Sequence, residues 1–172
     1  EFSAGFAAVK VLGKAEIKSV LSYIDCGISQ ADMRPIRYEN GEVIIENGKI
    51  YFTASVRQEE QMFQGIFSLV PSTMEIELTG AVFFDSGDGK WCGDVASTLV
   101  YSRKENKWLI FLCSFNHGHI LAHSEFDGDV RFGVNVVDVC HMNKAADNSP
   151  FDTTDSTPGD EDPNFIYDEE ND

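Results

Sequence analysis

Apolar residues along the chain come in short β-branched and aromatic runs, and nearly every run is closed by a cluster of Gly, Asn, Asp or Ser. Helical periodicity is almost absent, so the pattern predicts a chain that is nearly all β. The clearest hairpin joins Glu42-Val-Ile-Ile45 to Lys49-Ile-Tyr-Phe-Thr-Ala-Ser55 through Asn47-Gly48, a pair that adopts the positive φ angles of a type I′ turn at little cost. A second joins Ser97–Tyr101 to Trp108–Phe115 across the polar turn 103–107. Between them the pattern predicts strands over Gln64–Leu69, Met74–Leu78 and Ala81–Phe84. Beyond them it predicts strands over His119–His123 and Val130–Val139, separated by Asp127-Gly-Asp129. The one helical candidate is Ala15–Tyr23, and Val20–Ile24 serves equally well as a strand.

Laid over itself, the chain repeats. Ala31-Asp-Met-Arg-Pro-Ile-Arg-Tyr38, Asp94-Val-Ala-Ser-Thr-Leu-Val-Tyr101 and Asp160-Glu-Asp-Pro-Asn-Phe-Ile-Tyr167 align on their tyrosines, which are 63 and 66 residues apart. A polar turn follows each tyrosine, and an aromatic-rich strand follows the first two turns. Val20–Cys26 and Val134–Cys140 also correspond, each ending an apolar run with Asp and Cys. A period of roughly 60 to 70 residues holding about four antiparallel strands describes a β-propeller blade. The division expected is the end of a preceding blade over 1–31, blades over 32–93 and 94–142, a loop over 143–159 and the start of a further blade over 160–172. Such a set does not close a ring, which predicts that the remainder of the propeller lies in a longer parent chain. The alternative is a β-sandwich closing within these residues.

Charge narrows the partners. The 172 residues carry 13 Lys and Arg against 29 Asp and Glu, a formal charge of −16. Such a chain repels nucleic-acid phosphates and anionic lipid, so neither nucleic acid nor a membrane is expected as a partner. The longest apolar runs, such as Leu109–Cys113, fall far short of the about 20 residues that span a bilayer. The four cysteines are too widely spaced for a zinc or redox motif and read as buried core residues.

Each repeat opens with acids: Asp32 in the first, Asp94 in the second, and Asp160, Glu161 and Asp162 in the third. The first strand of every propeller blade lines the central channel, so these carboxylates would face one another at one mouth. Like charges at close range push proton affinities apart, giving an acid beside a base, as acetal hydrolysis requires.

These acidic first-strand motifs, and above all Gly159-Asp-Glu-Asp-Pro-Asn-Phe-Ile-Tyr-Asp-Glu-Glu170, resemble the five-bladed β-propeller glycoside hydrolases, family 43 and the related families 32, 62, 117 and 130. The resemblance covers roughly residues 20 to 172. It implies an Asp general base, an Asp that tunes and orients the acid, and a Glu general acid, which carried onto this chain are Asp32, Asp94 and Glu161. It implies inversion at an oligo- or polysaccharide substrate, with no cofactor unless a calcium ion sits near the axis. Two departures from the family pattern stand out. Asp32 and Glu161 lie six residues before their tyrosines but Asp94 lies seven before, so either a bulge re-aims Asp94 or its role differs. The first acid is followed by Met-Arg-Pro35 in place of the family's Asp-Pro.

Around this triad the sequence offers a substrate-binding set. Arg34 could reach a carboxylate or hydroxyl pair with its planar fork, or hold Asp32 in place. Asp162 sits beside the acid, and Trp91 could stack on a pyranose face. His117 belongs to the cluster Asn116-His-Gly-His-Ile-Leu-Ala-His123. A straight strand separates residues four apart by about 13 Å, so one strand cannot bring all three histidines to one metal, and no metal site is assigned. The segment 143–162 reads as an acidic loop or linker that permits weak calcium binding without an EF-hand-like pattern. Two other functions fit the same residues: a non-catalytic carbohydrate-binding or interaction propeller, and a propeller polysaccharide lyase using Arg34 or Arg37, Tyr38 and His117. Because sugar polymers are met outside the cytoplasm, a periplasmic or secreted location is expected.

Overall fold

The computed structural model describes residues 10–19, 29–58, 61–85, 87, 89–93, 95–114, 120–141 and 162–165. Among these residues the chain is all β, in two mixed, open sheets. Residues 15–19 of the helical candidate are not helical, and the rest of it lies outside the described residues.

The first sheet is built on an antiparallel meander of β1 (Ser29–Pro35), β4 (Lys49–Gln58), β5 (Gln61–Val70) and β6 (Glu75–Asp85). Short strands β3 (Ile45–Glu46) and β7 (Trp91–Cys92) pair with β4 and β6. The second sheet repeats the plan with β8 (Val95–Ser102), β9 (Lys107–Ser114), β10 (Ile120–Phe126) and β12 (Cys140–His141). Two strands then cross over. β2 (Arg37–Tyr38) leaves the first unit to pair parallel with β8, and β11 (Gly133–Asp138) leaves the second to pair parallel with β6. Each unit therefore completes the edge of the other's sheet, an exchange that period-two patterning alone cannot register.

Local signals account for most of the strand ends. Asn47 and Gly48 take φ of 51° and 74° in the turn between Glu46 and Lys49, as the Asn-Gly pair predicts. The strands expected over Met74–Leu78 and Ala81–Phe84 are instead one strand, β6, running on through Thr79-Gly80. The interruption appears as a register shift opposite Ile66/Phe67, where Thr79 Oγ1 donates to the Ile66 carbonyl at 3.2 Å.

The faces of the strands decide what holds the sheets together. Tyr51 of β4, Ile66 of β5, Val82 and Phe84 of β6 and Val137 of β11 pack in one cluster with Leu99 of β8, Trp108, Ile110 and Leu112 of β9 and Ala122 of β10. This core between the sheets buries Trp108, as its apolar run predicts, and Cys92 and Cys113 are buried as well. The opposite face of the first sheet is also apolar. Phe52, Ala54 and Val56 of β4 pack there with Phe67 of β5. Phe52 and Phe67 stack at 5.5 Å, and Gly65 makes this lie of the rings feasible: a Cβ there would meet the Phe67 ring and the Val56 side chain at 2.8 Å. The row continues outward through Ile45, Ile76, Leu78 and Val134, all exposed.

Arg131 ties the loop between β10 and β11 to this framework. It is buried, with bonds to Asp129 at 2.8 and 2.9 Å and Nη1 3.0 Å from Glu46 Oε2. Its guanidinium lies 4.8 Å from the centre of the Tyr51 ring and 5.5 Å from that of Trp108. Burial alone would raise the proton affinity of Asp129, but the hydrogen bonds and charge of Arg131 outweigh it and hold the carboxyl below its ordinary range. A carboxyl depressed in the folded state contributes stability that is present above its unfolded pKa and lost as pH falls through the folded one. Asp129→Asn is therefore expected to lower the urea midpoint at pH 7, with the gap to the parent protein closing at pH values below the usual aspartate range. An equal gap at neutral and strongly acid pH would refute this contribution.

Candidate functional site

Two first strands, one from each meander, break their ladders in the same way. Along β1 the pairing steps from Ala31↔Ser55 to Arg34↔Thr53, and along β8 from Val95↔Cys113 to Thr98↔Phe111. In both, three steps on the bulged strand face two on its partner, so each carries one extra residue. The residue after the first pair is left-handed in each case, Asp32 at φ 56° and Ala96 at 58°. Asp162, in the third acidic segment, has φ 53°. The other non-glycine residues of positive φ among the described residues, Asn47, Met74 and Asn106, lie in turns between strands. For an L-residue inside a strand this conformation costs on the order of 1–3 kcal/mol, and it persists where the surroundings enforce it.

The bulges fix a structural register. Asp32 corresponds to Ala96 and Arg34 to Thr98, and by backbone conformation Asp162 takes the same place in the third segment. A bulge follows Asp94, but β1 carries the same one, so it does not account for the difference in spacing; it aligns Asp32 with Ala96 in place of Asp94. Asp94 itself, like Glu161 and His117, lies outside the described residues.

What enforces the β8 bulge is the other sheet. Ala96 N donates to Ser55 Oγ at 2.9 Å, Ser97 N donates to Gln64 Oε1 at 3.0 Å, and Thr53 Oγ1 donates to the Ser97 carbonyl at 3.1 Å. Three backbone groups near the break are thereby satisfied by side chains of β4 and β5, themselves fully buried. At the entry to β8 the backbone also presses on β5, since a Cβ on Gly93 would lie 1.6 Å from the Met62 carbonyl oxygen. Only glycine fits there.

On the far side of β8 the third segment closes in. Thr98 Oγ1 donates to the Pro163 carbonyl at 2.6 Å and accepts from Arg34 Nη1 at 2.8 Å. Arg34 Nη1 also donates to the Pro163 carbonyl, while its Nη2 lies 3.7 Å from Asp162 Oδ1. Phe165 stacks on Phe111 of β9 at 6.1 Å. One arginine from the first unit, one threonine from the second and the backbone of the third therefore meet at a single point. Asp32 is held separately by Arg57 Nη2 at 2.9 Å.

These contacts give the candidate residues distinct positions. Arg34 is spent on the protein's own segments, with its side chain 20% exposed. Asp162 is the outermost partner, 56% exposed. Trp91 of β7, paired with Asp85 of β6, is 68% exposed and does not pack into the core. Tyr38 is not near Arg34's partners; its ring meets that of Tyr101 edge-on at 6.4 Å, farther along the parallel pair β2 and β8. Sequence reasoning missed Arg57 and Thr98. Arg57 sits at the far end of a neighbouring strand, with no local signal linking it to Asp32. Thr98 carried no signal in the sequence, since β1 and β8 both take in one extra residue and the tyrosine spacing does not mark the bulge. Among the described residues, no group of three or more His, Cys, Asp or Glu is arranged to hold a metal ion.

No protein-family model, curated protein or solved structure matches the chain.

Removing one partner of a satisfied buried backbone group costs about 1–3 kcal/mol. Ser55→Ala and Gln64→Met are each expected to destabilise the protein by that amount in chemical denaturation, although neither side chain touches solvent or the acidic segment. A loss below about 0.5 kcal/mol in both would show that the bulge does not depend on them.

Proposed function

We propose that this chain forms part of a carbohydrate-active β-propeller that hydrolyses glycosidic bonds, with Asp32 as general base, Asp94 as the tuning carboxylate and Glu161 as general acid. The observation that carries the reading is the meeting of Arg34, Thr98 and Pro163, with Asp162 beside them. Stretches that the sequence repeat makes equivalent come into contact there, as a propeller would require of the innermost strands of successive blades. Two further features support it. Consecutive four-stranded meanders pack face to face, and the first presents a second apolar face for another layer.

In this reading Arg34 is a positioning residue. By gripping Asp162 and Pro163 it fixes the segment that bears Glu161, and by its place two residues after Asp32 it links the base-bearing strand to the acid-bearing one. Arg57 sets the orientation of the Asp32 carboxylate. Trp91, exposed beside the entry to β8, supplies an apolar ring for a sugar face, and His117 a polar contact. If the two carboxyl groups lie about 6.5 to 9.5 Å apart, the geometry admits a water molecule and gives inversion.

The ion pairs of Asp32 and Arg34 favour one competing reading, in which these groups serve architecture and the protein binds carbohydrate without turnover. Activity on a panel of aryl glycosides and oligosaccharides separates the two. Asp32→Ala and Glu161→Ala are each expected to lower kcat by at least about 100-fold while the fold is kept. Full activity in either variant would overturn the assignment, and binding without turnover across the panel would favour the non-catalytic reading.

A further inference from the structure

At the end of the strands away from Asp32 lies a cavity of about 280 Å³. Its walls include Tyr38, Tyr101, Trp108, Asn106, Asp127 and Arg131, contributed by β2, β8, β9, the turn between β8 and β9 and the loop between β10 and β11. Glu46 on its rim pairs with Lys49, whereas Asp32 lies between the pairs Ala31↔Ser55 and Arg34↔Thr53, and the span of β4 from Lys49 to Ser55 puts the two regions about 20 Å apart. The cavity is therefore separate from the proposed hydrolytic site. Its volume sits just under the range of about 300–1,000 Å³ typical of drug-sized ligands, which suits a single small ring.

The chemistry of the walls selects among small ligands. Glu46, Asp127 and Asp129 set three negative charges against the one positive charge of Arg131, so an anion is disfavoured. Aromatic walls with carboxylates would ordinarily suit an organic cation. Here, however, two guanidinium groups of the protein already stand at two of the three rings and repel a further cation: Arg103 lies 4.4 Å from the centre of Tyr38, and Arg131 lies over Trp108. A neutral hydroxylated ligand is left. Asp127 is exposed and can accept from hydroxyl groups. Asn106 is oriented by Tyr101 Oη, which donates to its Oδ1 at 2.7 Å, and its amide nitrogen remains a donor. The Tyr101 ring and Ile44 supply the apolar contact that the C–H face of such a ring needs.

We infer that this cavity, framed by Tyr101, Asn106, Asp127 and Arg131, is a binding site for a neutral polyhydroxylated ring of monosaccharide size, independent of the Asp32 site. The test uses the full chain carrying Trp91→Phe, so that all indole emission comes from Trp108, the other of the chain's two tryptophans. Glucose, galactose, mannose, xylose and arabinose are titrated to roughly 100 mM, a range that captures a dissociation constant near 1 mM. At least one sugar is expected to change the emission saturably. Asn106→Gly, which keeps the left-handed turn while removing the amide, and Asp127→Ala are each expected to weaken that binding about tenfold. Asp32→Ala should leave it unchanged, so failure of the hydrolytic assignment would not remove this one. The inference is overturned if no sugar gives a saturable change, if saturable binding survives both cavity variants, if Asp32→Ala abolishes it, or if tetramethylammonium binds and the sugars do not.

Discussion

A strand that takes in an extra residue must find new partners for the backbone groups it throws out of register, and the rest of this structure is organised around meeting that demand. At β8 the partners come from Thr53, Ser55 and Gln64, polar side chains set among apolar ones on the inner face of the first sheet. Burying three such groups without hydrogen bonds would cost several kcal/mol, comparable to much of the stability of a domain this size. Hydrogen-bonded through Thr53 Oγ1, Ser55 Oγ and Gln64 Oε1, they lock the two sheets in one relative position in a way that the non-directional packing of Ile66, Leu99 and Ile110 cannot. The strain at Ala96 is thus sustained by contacts across the core and not within its own sheet.

The same demand explains why the acidic segments converge. A bulge bends its strand and turns the next side chain, so Thr98 faces outward from the second sheet toward Pro163, and Arg34, at the matching place in β1, reaches the same carbonyl. Polar residues thus cement one end of the molecule through backbone geometry. At the other end the cement is ionic and aromatic, with Arg131 between Asp129, Glu46 and the rings of Tyr51 and Trp108. Between the two ends the core is apolar.

How much of this could be read from the sequence depended on how local the cause was. The Asn47-Gly48 turn, the burial of Trp108 and the all-β class follow from neighbours along the chain. The continuity of β6 does not, because Thr79-Gly80 reads as a break and becomes a kink only when Ile66 offers its carbonyl to Thr79. The repeat of acids before tyrosines pointed to the two strands that carry bulges. Counting from the tyrosines nevertheless set Asp32 level with Glu161, whereas the left-handed residues set it level with Ala96 and Asp162. Arg34 illustrates the limit: its position two residues after an acid suggested a ligand contact or a hold on Asp32, and its hydrogen-bond partners in the structure lie 64 and 129 residues away. The crossing of β2 and β11 is invisible for the same reason, since parallel pairing over long distances leaves no local pattern.

That crossing has a consequence for how the molecule comes apart. With β2 lodged against β8 and β11 against β6, neither meander owns all the strands of its sheet. Severing the chain between Cys92 and Val95 would leave each piece with a strand fitted to the missing half and an edge without its neighbour. Pieces of that kind re-find each other or pair with the wrong edge. The two units therefore share one cooperative transition. Because β6 and β11 are separated by nearly fifty residues, their pairing forms after much of the chain is already in place. The unit visible in the sequence is the repeat, but the unit of folding is the interlocked pair.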